Sequence, residues 1–331
     1  STVGKGIFTV AENVVKVSAA ATTAGAAAVS ALTTLAINSY ADYEQLVGGV
    51  ETLYKDSAAK VQQYAADAYK TSGMTANEYM TTATSYAAAL VSSLGGDTEQ
   101  AAELSNMAVS DMADNWNKFG SSADSVQAAY NGFAKGQFQL LDNLKLGYGG
   151  TKEEMERLLD DANKLNAAQG KYTDYSIDSF SDIILAIHDI QTEYDITGTT
   201  AKEASTTISG SLSAAKAAWA NLVTGVADDN ANFGQLISNF VDSATTAASN
   251  IIPRVEVALN GAAKLIESLV PPIMAELPGL IETVLPQLAQ SAVNIVQTLV
   301  TEISTNAAQL IDSAIQIITV LGNGIYQMLP T

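Results

Sequence analysis

An all-α fold is predicted for this 331-residue chain, and three observations predict it. Apolar residues recur at three- and four-residue intervals through Ala-, Leu- and Gln-rich stretches. The chain has only 6 prolines, all of them after Asn250. Thr at the start of such a stretch, with Glu three residues on, repeatedly follows a glycine break and marks a helix start. The expected architecture is a helical domain of short antiparallel helices followed by apolar, proline-punctuated helical repeats. It divides into four parts: an Ala-rich helix over 1–41, a helical core domain over 42–170, helices including a heptad-like seam over 171–250, and apolar repeats over 251–331.

Between Lys16 and Asp42 the chain is uncharged. Small residues lie four apart at Ala21 and Gly25, Ala24 and Ala28, and Ala27 and Ala31. That spacing suits close helix packing, and the length of the run also admits membrane insertion; both readings stay open. Gly48 and Gly49 are expected to break the first helix, after which KDSAAKVQQYAADAYK runs towards Gly73. Thr75 and Glu78 form a capping box that opens a helix through Tyr79, Ala83, Tyr86 and Leu90, ended by Gly95 and Gly96. Asp97 caps the next helix, with Ala101, Leu104, Ala108, Met112 and Trp116 along one face and Gly120 at its end. A short helix follows over Ser125–Ala134. Ala and Tyr dominate these stripes, so the helices approach closely, with tyrosine hydroxyls expected at the rim.

Gly147, Gly149 and Gly150 release the backbone before a second capping box, Thr151 with Glu154. Behind it Met155, Leu158, Leu159, Ala162 and Leu165 share a stripe. No strand precedes this Gly-rich turn and no nucleotide-loop spacing is present, so it reads as a connection between helices. The polar AAQGKYTDYS from Ala167 reads as a linker. His188 follows in a helix around 183–194, with Ile184, Ile187 and Ile190 on the apolar side and Asp182, Asp189 and Glu193 on the polar side. It reads as a partly exposed structural histidine. Thr200 and Glu203 supply a third capping box, and the helix behind it carries Ile208, Leu212, Ala215, Trp219, Leu222 and Val226 at heptad-like spacing, a packing seam that wants a partner helix.

After Ile251, Pro253, Pro271, Pro272, Pro278 and Pro286 are expected to divide an apolar block into short rods. Residues 287–303 and 309–325 match at an offset of 22, with seven identities that begin at Gln287 and Gln309. The shared apolar face is Leu288, Ala292, Ile295, Leu299 and Ile303, repeated as Leu310, Ala314, Ile317, Leu321 and Ile325. Six helical turns return these side chains to one side. Such a face needs cover from neighbouring helices, other copies of the chain or lipid.

The net charge is −19, distributed as +1 over 1–40, −9 over 41–170, −7 over 171–250 and −4 over 251–331. That surface repels nucleic acid and anionic headgroups, so specific nucleic-acid binding is not expected. Without cysteine there is no disulfide or thiolate site, and one histidine excludes a histidine-cluster metal site. The acids sit at capping or solvated positions, and neither catalysis nor a cofactor is expected.

Five stretches resemble the tape measure (minor tail) proteins of long-tailed bacteriophages: YEQLVGGVETLYKDSA from Tyr43, AYKTSGMTANEYM from Ala68, DMADNWNKFG from Asp111, DNLKLGYGGT from Asp142 and ITGTTAKEAS from Ile196. The resemblance implies a structural role: setting tail length, templating polymerisation of the tail tube, filling its lumen and leaving with the genome. The chain is then a fragment of a longer protein. Implied partners are tail-tube subunits, tail assembly chaperones and tail-tip proteins, and the implied locations are the host cytoplasm during assembly and the tube lumen in the virion. Self-association is a further expectation from the apolar faces. The alternative is a membrane-inserting helical module that aids DNA passage through the host membrane.

Overall fold

The computed structural model describes residues 24–276, 289–298 and 301. The fold is all-α, with no strand among the described residues. The helices are α1 (Ala24–Tyr54), α2 (Ala58–Thr71), α3 (Ala76–Ser93), α4 (Thr98–Phe119), α5 (Ala123–Phe133), α6 (Lys152–Ala168), α7 (Phe180–Glu193), α8 (Thr199–Thr206), α9 (Ile208–Gly225) and α10 (Phe233–Glu276). Short 3₁₀ turns occupy Lys55–Ser57 and Leu141–Leu144. The chain divides into two units, Leu35–Arg254 and a second that pools 1–34 with 255–331.

Helix α4 organises the Leu35–Arg254 unit, packing against α2, α3, α5, α7 and α8. Positions 111–115 on it are all buried, and five consecutive residues face every side of a helix. Ala101, Ala102, Ala108 and Ala113 keep its circumference small, so neighbours approach on all sides. Fully buried Met80, Leu90, Leu141, Leu144, Met155 and Leu158 join its own Met112 in the core, each contributing about 1.5–3 kcal/mol by burial.

One hydrophobic cluster runs from Val50 to Ile196. The boundary expected near residue 170 therefore does not divide the core: α7 packs on α6 and α4, and the polar stretch between α6 and α7 connects two helices of one unit. The tyrosines also depart from expectation. Tyr54, Tyr79, Tyr86 and Tyr130 are buried, and their hydroxyls lie inside. Tyr54 Oη donates to the Ala83 carbonyl at 3.0 Å and shares a 2.7 Å hydrogen bond with Ser105 Oγ. Tyr86 Oη donates to the Ser105 carbonyl at 3.3 Å. Burial pushes the Tyr54 hydroxyl up to about 12.

Breaks expected at glycine and proline do not occur in two of the helices. Helix α1 continues through Gly48 and Gly49, because glycine inside a helix only weakens it by about 1 kcal/mol. Helix α10 continues through Pro253, Pro271 and Pro272; each proline removes one backbone hydrogen bond without ending the helix. Among the described residues no helix is long and apolar enough to cross a membrane. Within 289–298, Ala292 is half-buried and Ile295 exposed. Leu288, Leu299, Ile303, Leu310, Ala314, Ile317, Leu321 and Ile325 of the repeat face lie outside the described residues.

Candidate functional site: a buried polar frame

The largest concentration of buried polar groups lies on α4. Asp111, Asp114, Asn115 and Lys118 stand at positions i, i+3, i+4 and i+7, one helical face. The first three are 0–2% exposed. Each bonds a different part of the chain.

Asp111 accepts from the His188 ring on α7, whose Nδ1 lies 3.0 Å and 2.9 Å from the two carboxylate oxygens. Burial raises the Asp111 carboxyl to about 6, against the pull of His188. The hydrogen bond from Asp111 in turn raises His188 above its ordinary value. The imidazole side chain is 27% exposed, so one edge reaches solvent while the other is fixed. Among the described residues no serine or threonine hydroxyl bonds it, so this Asp–His pair has no nucleophile to activate.

Asp114 caps α8 from another helix. Its oxygens accept from Gly198 N at 2.6 Å and Thr200 N at 2.7 Å. These are amides of the first turn, which lack partners within their own helix, and the carboxylate also complements the helix dipole. Burial raises Asp114 despite both amide bonds. Asn115 donates from Nδ2 to the Leu144 carbonyl at 2.9 Å and to Gln191 Oε1 at 3.4 Å. Asn117 Nδ2 donates to Glu203 at 3.0 Å, and Lys118 Nζ to the Asp195 carbonyl at 3.3 Å. Lys145 Nζ returns a bond to the Phe119 carbonyl at 3.2 Å. Asp195 and Lys145 both hold left-handed backbone, φ 53° and 54°, which costs a non-glycine residue about 1–2 kcal/mol and is offset here by these tethers.

This geometry places the sequence-predicted residues as follows. At Thr75 both arms of the capping box form: Thr75 Oγ1 accepts from Glu78 N at 3.1 Å, and Thr75 N donates to Glu78 Oε2 at 2.8 Å. At Thr151 one arm forms. Thr151 Oγ1 accepts from Glu154 N at 3.2 Å, but Glu154 turns to Gly149 N at 3.0 Å and to Arg157. The third box does not form. Helix α8 starts two residues early, Thr200 is inside it, and Glu203 bonds Asn117; Asp114 has taken the capping role that Thr200 was expected to fill.

The seam on α9 is displaced. Leu222 is buried, Leu212, Ala215 and Trp219 are half-buried, and Ile208 and Val226 are exposed. The buried side is instead Ser211, Ala214, Ala217, Ala218, Asn221, Leu222, Val223 and Gly225. Small residues win because α9 lies close against α8 and α2, and Asn221 Oδ1 accepts from Ala76 N at 2.8 Å to hold the start of α3. Trp219 packs on Phe240 with ring centroids 5.1 Å apart.

The sequence signal missed was the polar i, i+3, i+4, i+7 spacing in DMADNWNK. It lies beside the apolar stripe of the same helix, and only a helix buried all round turns such a row into core.

A cleft of about 820 Å³ opens in the same unit, lined by Asp42, Glu78 and Asp124, by Asn77 and Gln127, and by Trp116. Glu78 is committed to Thr75 N. Among the described residues no group of three acidic or histidine side chains is arranged to hold a metal. No family model, curated protein or solved structure matches the chain.

Proposed function

We propose that this chain is a structural protein of the long-tailed phage tail, a fragment of the tape measure that sets tail length, templates tube assembly and leaves with the genome. One observation carries the reading. Three of the stretches that resemble that family, 111–120, 142–151 and 196–205, meet in space as the polar frame. Asp114 joins the first to Gly198 and Thr200, and Asn115 joins it to Leu144. A fourth, 68–80, holds the start of α3, where Asn221 takes the Ala76 amide. These residues position backbone and helix ends, which is what a protein acting through its shape needs.

Its partners under this reading are tail-tube subunits, tail assembly chaperones and tip proteins, and its site is the tube lumen. The compact unit contributes little length for its residue count. Helix α10, at about 1.5 Å per residue over 44 residues, is the rod-like element. Deleting residues 287–308 in frame from a phage carrying this chain is expected to shorten tails by about 33 Å if that stretch is extended helix in the tail. Tails of unchanged length would remove those residues from any measuring role.

A further inference from the structure

The polar frame contains a feature that positioning alone does not require. A carboxylate that only ties two helices together works with any neutral donor, yet Asp111 is met by the chain's one histidine. We propose that Asp111 and His188 form a proton-operated latch: the doubly protonated imidazole clamps α7 to α4, and release of its outer proton as pH rises leaves Asp111 a buried carboxylate without counter-charge and loosens the clamp.

The geometry supplies each part. Nδ1–H stays on Asp111 in both states, 2.9–3.0 Å from its oxygens. The proton that comes and goes is the one on Nε2, and the partly exposed ring gives it a route to water. The titratable groups that face the pair are Asp114 on α4, Asp189 on α7, Tyr86 on α3 and Tyr130 on α5. Asp189 is held by Tyr175 Oη at 2.8 Å and Asn166 Nδ2 at 2.5 Å, which ties α6 and its following loop to the same helix. Among the described ion pairs no lysine or arginine reaches Asp111, Asp114 or Asp189. The imidazolium is thus the cation that balances this group of carboxylates, and a buried carboxylate left without one is costly.

The sign follows from linkage. Asp111 and His188 both bind their protons more tightly in the folded chain than in the unfolded one. Their contribution to stability is full at low pH and is lost as pH rises through about 6 for Asp111 and above 6.5 for His188. The unit therefore loosens towards alkaline pH, opposite to a protein whose carboxylates are stabilised by bases.

The ring of a single histidine gives one resolvable nuclear magnetic resonance signal, so the test is direct. In the full chain its titration midpoint is expected above 6.5, with the melting temperature falling as pH rises from 6.5 through that midpoint. Asp111→Asn lowers the midpoint, and His188→Gln, which keeps an amide donor but cannot titrate, removes the imidazole's share of the fall in melting temperature with pH. A midpoint at or below 6.5, or the same pH slope in wild type and His188→Gln, overturns the latch. Should Asp111→Asn not fold, the wild-type titration and His188→Gln decide it.

Discussion

Helices α4 and α10 are both long, 22 and 44 residues, and they are held in different ways. In α4, half the residues are buried, and a polar face inside the core bonds other segments through Asp111, Asp114 and the Asn115 Nδ2, while Asn115 Oδ1 is buried without a partner. Among the described side chains of α10, Ser243 and Ala247 are buried, while Ile252 and Val257 are 64% and 61% exposed. The more polar helix is the buried one. Small side chains allow a helix to be surrounded, and a carboxylate goes inside when amides and an imidazole are already aimed at it.

The largest contrast should come from truncating one apolar side chain on each helix. Met112→Ala is expected to cost about 2–5 kcal/mol in denaturant unfolding, because the hole it leaves is closed on every side. Val257→Ala on α10 should change stability by less than about 0.5 kcal/mol. Equal losses would break the comparison.

Asp114→Ala comes next. It leaves the Gly198 and Thr200 amides without their acceptor and is expected to cost about 1.5–3 kcal/mol, with Asp114→Asn recovering part. Protection of the α8 amides in hydrogen exchange should fall first, since that helix has no side-chain cap of its own. Loss of protection spread evenly over the unit would show that Asp114 is not a local cap.

The smallest pair sharpens the contrast by opposite signs. A Cβ at Gly210 in α9 would collide with the Glu203 carbonyl group, backbone that cannot swing aside, so Gly210→Ala should cost about 1–3 kcal/mol. A Cβ at Gly261 in α10 meets nothing within 4 Å, so Gly261→Ala should gain up to about 1 kcal/mol of helix stability. Thermal unfolding followed by circular dichroism reads both, and a loss at Gly261 would mean that α10 is packed there after all.

These differences explain what could be read in advance. The Thr75–Glu78 box needs four consecutive positions, and both its bonds form. The Thr200–Glu203 box has the same spelling and fails, because a carboxylate 86 residues away reaches the Thr200 amide first. Likewise the heptad spacing on α9 is real as a pattern, yet the surface that packs is the alanine side lying against α8 and α2.

The sequence by itself determined that the chain is helical, where most helices in the compact unit begin and end, and that its charge is strongly acidic. Those properties follow from contacts within a few residues, where spacing and turn chemistry act. Only the tertiary structure decided that 42–170 and 171–250 share a core, that Asp111 meets His188, and that Asp114 closes α8. Those pairings join positions 77 to 86 residues apart, and which helix faces which is set by how side chains of many segments fill one volume, a property that no single stretch carries.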